Sequence, residues 1–233
     1  ANYDRLHKIF QQREYNATEA QKKEWITVTA QLKSAKRHEL QLKHQRAYMQ
    51  NREKHLKPKS TDCFEVIVYE DFVNHYDWTG KKILNLVFTV MWKDEHGILR
   101  RKFVDNFFDS RGARSPVVRD IWSYHLFGQA KDDKFKMKIS TEFKGVTHII
   151  RSGDNGPHFI SKVTMYFESE VNRRSKGRIT WESHTLCKHH AANCCDMHGG
   201  AFKRIIRQEG VKGKFNIIKV SDNYYIYYMY LEI

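Results

Sequence analysis

The sequence predicts an α/β chain: a mixed sheet flanked by helices and preceded by a basic helical arm. Two observations carry this. From Tyr3 to about Leu56 there is no Gly or Pro, and Gln, Lys, Glu, Arg and Ala, all good helix formers, predominate. From Phe64 onward, short β-branched and aromatic runs alternate with stretches of helical period. A third observation concerns partners: 41 Lys and Arg stand against 27 Asp and Glu, a formal charge of +14. Such an excess repels itself unless a polyanion offsets it, so nucleic acid is the first partner expected, with a merely soluble basic protein as the bland alternative.

Taken in order, Leu6, Ile9 and Phe10, then Trp25, Ile26, Val28 and Leu32, recur at helical spacing and predict two helices or one broken helix, whereas Gln41 to Lys57 is mostly polar. Residues 1–60 hold 14 Lys/Arg against 6 Asp/Glu, more than half of the net charge. Pro58 ends the arm, because proline disfavours helix at the residue before it. Strands are expected at Phe64–Phe72, Ile83–Trp92 and Ile98–Phe108, consecutive and antiparallel through the turns TGKK and DEHG. Ser115 and Pro116 suit an N-cap and first helical position for a helix through Phe127, and a second helical stretch covers Asp132–Phe143 before Gly145. A short strand Val146–Arg151, the turn SGDNGP, a helix His158–Arg173, a strand Arg178–Leu186 and a helix Ala191–Gln208 follow. NYYIYYMYLEI is a strand-like segment without an assigned place. The organisation expected is thus an arm at 1–60, an α/β domain at 61–210 and an extension at 211–233. Three antiparallel strands, helix, strand, helix, strand, helix is the order of the ribonuclease H-like fold.

No apolar run approaches the roughly 18 residues of a membrane span, and the first residues, ANYDRLHKIF, lack the apolar stretch of a signal peptide. Neither membrane insertion nor secretion is expected. The chain starts at Ala1, so a fragment or processed product of something longer is expected. Cys63 stands alone and Cys187, Cys194 and Cys195 are bunched, which is no secreted disulfide framework and fits a reducing compartment.

Within the predicted order, Asp71 falls near the end of the first strand, Asp154 directly after the fourth, and Asp196 at the start of the helix after the fifth. Strand ends and a facing helix can gather three such carboxylates, whose oxygens suit Mg²⁺ or Mn²⁺; two such ions would polarise a phosphate and activate a water or a 3′-hydroxyl. Read singly, Asp71 and Asp154 are equally turn or cap residues. Glu70 points to the opposite face of the strand from Asp71, so only one of the two can serve a given site. Glu142, Glu168, Glu170 and Glu182 read as solvated partners of Lys and Arg, with Glu182 a substitute for Asp196 if the third acid were Glu.

The segments VIVYEDFVNHY, RSGDNGPHF and HHAANCCDMHGGAFKR, with LKHQRAYMQNREKHL upstream, resemble the catalytic blocks of DDE/DDD-type DNA transposases of the Kyakuja-Dileera-Zisupton kind: a strand with Asp-Phe and an Asn-Tyr-like pair, a Ser-Asp-x-x-x-x-Phe turn, and a His followed six residues on by Asp, then Gly-Gly and Lys-Arg. His75 and Ala192 depart from that pattern. The resemblance selects Asp71 over Glu70 and implies a nucleus-located enzyme that nicks and transfers DNA strands with an Asp71–Asp154–Asp196 triad, assembled as a homo-oligomer on DNA ends. It makes His190 a helper beside the triad; His158 is either a neighbour of Asp154 or a helix-start residue.

A rival site lies in the same region. Cys187, His190, Cys194 and His198 are spaced Cys-x2-His-x3-Cys-x3-His, compatible with tetrahedral Zn²⁺, although the same residues also read as neighbours of the catalytic site or as packing cysteines and surface histidines. Arg100–Lys102, Arg173 and Arg174, and Lys203 and Arg204 are basic groups able to meet DNA phosphates. Gly199 and Gly200 weaken the helix that carries them, and a close approach of DNA or of the sheet is one reason to tolerate them. The functional alternatives are a domesticated, inactive DNA-binding relative and a zinc-stabilised nucleic-acid-binding or interaction domain.

Overall fold

The three expected strands form an antiparallel meander, β1 (Glu65–Trp78), β2 (Lys81–Lys93) and β3 (Leu99–Asp109). The structure, a computed structural model, describes residues 11, 18–78, 81–109, 115–127, 143–153, 156–185, 194–209, 216–221 and 224–228. The DEHG turn closes β2 onto β3 because the Asp94 carboxylate accepts the backbone N–H groups of His96 and Ile98 at 3.0 and 2.9 Å, while Gly97 takes a left-handed φ of 76°. β1 is longer than its apolar run suggested: pairing with β2 continues past a register shift between Val73 and Tyr76 as far as Trp78. Asp71 therefore sits mid-strand, not near the strand end.

β4 (His148–Gly153) pairs parallel with β1, and β5 (Thr180–Thr185) parallel with β4. The aromatic tail finds its place: β6 (Asn216–Ser221) and β7 (Tyr224–Tyr228) form a hairpin, and β7 adds antiparallel to β3. The sheet is mixed and open, in the order β5-β4-β1-β2-β3-β7-β6. The described residues of the expected extension, Asn216–Ser221 and Tyr224–Tyr228, thus belong to the sheet.

Side-chain alternation divides the sheet into two faces. Val66, Val68 and Glu70 of β1 share one with Leu86 and Phe88 of β2, and α2 (Ser115–Phe127) and α3 (Lys162–Arg174) bury Ile121, Trp122, Phe167 and Val171 against it. α3 starts four residues later than its apolar pattern indicates, because Gly156–Ile160 closes as a turn and Ser161 caps the helix, accepting from the Thr164 amide at 3.1 Å. The opposite face carries Ile67, Tyr69, Asp71 and Val73 and receives α4 (Cys194–Glu209). The helix expected at Asp132–Phe143 lies outside the described residues except for Phe143, which is buried in the core.

The described arm is one helix, α1 (Glu19–Lys54). It opens with a capping box: the Thr18 hydroxyl accepts from the Gln21 amide at 3.3 Å and the Gln21 side chain accepts from the Thr18 amide at 2.9 Å. The chain divides into compact units at Ala1–Met49 and Gln50–Ile233, ahead of the boundary expected at residue 60. The reason lies within the second unit: Arg52 pairs with Glu182 at 2.9 Å, Tyr69 donates to Glu53 at 2.6 Å, and Leu56 is buried. No described helix is long and apolar enough to cross a membrane.

Candidate functional site

The pairing of β1 with β4 ends at Glu70↔Gly153, which makes Asp71 the first β1 residue beyond the end of β4. Across the antiparallel strands Asp71 is level with Val87 and Val87 with Asp105, so the two half-buried carboxylates lie in one row on one face. α4 is laid over this row by three residues. Cys195, fully buried, places Sγ 3.2 Å from Thr89 Oγ1 and 3.4 Å from the Tyr69 carbonyl. Gly199 abuts Val73 so closely that a Cβ would stand 2.4 Å from Val73 Cγ1. His198 donates from Nε2 to Asp105 Oδ2 at 2.7 Å and stacks flat on Phe103, with ring centroids 4.2 Å apart and planes 5° apart. Asn85 donates to the other Asp105 oxygen at 2.6 Å.

Asp196 occupies the exposed side of the first turn of α4, where the positive end of the helix favours a carboxylate. Next to it the two thiols are pushed in opposite directions. The hydrogen bond with Cys195 holds the Cys194 thiol down to about 6, helped by Thr89 and the positive charge of Arg101. The same bond, burial and the nearby Asp71 charge push the Cys195 thiol up. Burial and the adjacent Glu53 carboxylate likewise keep the Tyr69 phenol protonated.

Glu70 has a different role. It is wholly buried on the other face, where its carboxylate pairs with Arg151 and accepts from Trp122 Nε1 at 2.7 Å. Gly153 makes room for it, since a Cβ there would stand 3.1 Å from Glu70 Oε1. Of the acids read as solvated, Glu170 pairs with Arg173 at the surface, but Glu168 reaches the buried Arg151 at 3.1 Å and Glu182 lies among Arg52, His148 and His184. Both therefore partner arginines, but Glu168 on α3 is drawn in by the buried Arg151 of β4 rather than left in solvent, a contact that local composition does not reveal.

Of the residues singled out from the sequence, Glu142, Asp154, Cys187 and His190 lie outside the described residues. His158 packs edge-on against the rings of Phe72 and Phe159. His198 is engaged by Asp105, and Cys194 by Cys195. Arg173 and Arg174 end α3, on the sheet face opposite Asp71, and the Arg174 guanidinium lies 4.0 Å over the Phe127 ring while donating to Ser123. Lys203 and Arg204 lie on α4, the layer that covers Asp71. Among the described residues no group of three His, Cys, Asp or Glu is placed to hold a metal ion. Sequence reasoning missed Asp105, Asn85 and Arg151; a polar residue inside each apolar strand was the available signal, but only the register shows what each one meets. No protein-family model matches this sequence, and no curated protein matches it.

Proposed function

We propose that this chain is the ribonuclease H-like catalytic domain of a DNA transposase, or of a protein descended from one, with Asp71, Asp154 and Asp196 as its acidic triad. The observation that carries the reading is the position of Asp71: on β1, between β2 and β4, just past the end of β4, on the face that α4 covers with Asp196 in its first turn. The strand order supports it as well. In β3-β2-β1-β4-β5 only β2 runs against the rest, which suits the proposed fold.

The donor chemistry fits a hard divalent cation, since carboxylate oxygens prefer Mg²⁺ or Mn²⁺. Such ions, when bound, would stabilise the charge that develops in phosphoryl transfer. The chain's own residues supply the frame: β1 presents Asp71 from a strand paired on both sides, α4 presents Asp196, and Lys203 and Arg204 on that helix offer positive charge to a DNA backbone. Asp105, which accepts from Asn85 and His198, lies two strands from Asp71 and is not counted as a further ligand.

Nicking of supercoiled DNA in Mg²⁺ or Mn²⁺ tests the reading. Asp154→Asn is expected to lower nicking by orders of magnitude while DNA binding without metal is unchanged or slightly tighter. Equal nicking by variant and parent rejects the triad. A parent that binds DNA but never nicks it favours the domesticated binding module instead.

A further inference from the structure

Asp105 and His198 form a specific polar contact between α4 and β3. Their bond is 2.7 Å long, Asn85 fixes the carboxylate from its other side, and the imidazole rests flat on Phe103. Both side chains are about four-fifths shielded, His198 at 22% and Asp105 at 19% exposure, so the bond is little diluted by solvent. Asp105 lies two strands from Asp71, about 10 Å away by strand spacing, and so is too far to share ions with it. It grips the helix two residues beyond Asp196. On the following residue, the Gly199–Val73 approach permits little sliding.

We propose that His198, through Asp105, is a positioning residue: it seats α4 on the sheet and thereby sets Asp196 against Asp71. This rests on the reading of those acids as a cation site. The hydrogen bond fixes rotation of the helix about its axis, and the ring stack fixes its height above β3. Cys195, through its bonds to Thr89 and the Tyr69 carbonyl, and Gly199 hold α4 to β1 and β2, whereas the His198 bond reaches β3, so its loss is expected to let the first turn of α4 roll. A carboxylate carried on a first turn that can roll is presented less often in the geometry a cation needs, which lowers affinity without removing a ligand.

The test is Mn²⁺ titration of the full chain, with free Mn²⁺ read by electron paramagnetic resonance and amide hydrogen exchange read in parallel. His198→Phe keeps the ring on Phe103 but removes the donor, His198→Gln keeps a donor but removes the stack, and Asp71→Asn is the reference for a missing ligand. The proposal expects Asp71→Asn to abolish binding, His198→Phe to weaken it severalfold with faster exchange confined to the first turns of α4, and His198→Gln to recover much of the loss. Asp105→Asn, which keeps shape but loses charge, is expected to act like a milder His198→Phe and serves if the latter does not fold. His198→Phe binding Mn²⁺ as tightly as a competent parent overturns the positioning role alone. A parent that binds no Mn²⁺ overturns the cation site and the positioning role together.

Discussion

Arg151 donates from Nε to Glu70 Oε1 at 2.5 Å across the β1–β4 pair, with 4% of the arginine and none of the glutamate side chain exposed. Trp122 donates to the second glutamate oxygen, and the remaining guanidinium groups reach Glu168 and the Phe159 carbonyl. A buried ion pair adds little over an apolar pair of equal volume, but breaking it strands a charge. This network joins β1, β4, α2 and α3 directly behind Asp71, so its integrity decides whether the central strands stay in register.

Arg151→Met is therefore expected to cost about 3–5 kcal/mol, seen as a lower urea midpoint with an unchanged slope. Adding Glu70→Gln should recover part of that loss, because the stranded charge is gone. A single variant as stable as the parent would show that the pair is not sealed.

Two adjacent glycines separate close approach from mere flexibility. Gly199→Ala drives a Cβ into Val73 and is expected to destabilise by about 1–3 kcal/mol despite better helix propensity. Gly200 has nothing within 4 Å of its would-be Cβ, so Gly200→Ala should stabilise by up to about 1 kcal/mol. Thermal melts of the two variants, with Val73→Ala as rescue for the first, check the contrast.

Much of this arrangement was legible in the sequence. The switch from helical to alternating apolar period at Phe64 locates the meander, and Ser115–Pro116 marks the start of α2. Asp196 was expected at the start of the last helix and lies in the first turn of α4, whereas Asp71, expected near a strand end, lies mid-strand because β1 runs on past the apolar run to Trp78. What stayed hidden depends on long-range register. Asp105 meets His198 across 93 residues and Arg151 meets Glu70 across 81, and no local pattern encodes such pairs. The place of β7 was hidden for the same reason, since an aromatic strand can pair with any open edge.

The thiols beside Asp196 give a pH signature. Cys194 is held to about 6 against an ordinary thiol value of 9.0, first by its hydrogen bond with Cys195, whereas Cys195 is pushed upward. A depressed thiol contributes stability above the unfolded value, and that contribution is lost as pH falls through about 6. Iodoacetamide labelling mapped by mass spectrometry should accordingly rise at Cys194 near pH 6 and leave Cys195 unmodified in the native chain. Labelling of Cys194 only near its ordinary range would contradict this.

The basic arm has its own test. Removing residues 1–49 spares the Arg52–Glu182 and Glu53–Tyr69 pairs inside the second unit and takes away 10 Lys/Arg against 5 Asp/Glu, a net +5. If these charges meet phosphates, the slope of log affinity against log salt becomes shallower by about 0.9 for each phosphate that the arm had neutralised. An unchanged slope would assign DNA binding to the sheet domain.

The account turns on Asp71 and Asp196 acting as one cation site with Asp154. Anomalous diffraction from crystals of the chain grown with Mn²⁺ measures this directly. The expected result is a Mn²⁺ peak about 2.1 Å from carboxylate oxygens of Asp71 and at least one of its two partners. Carboxylates more than about 10 Å apart, or a peak bound instead by Cys194 and His198, would contradict it.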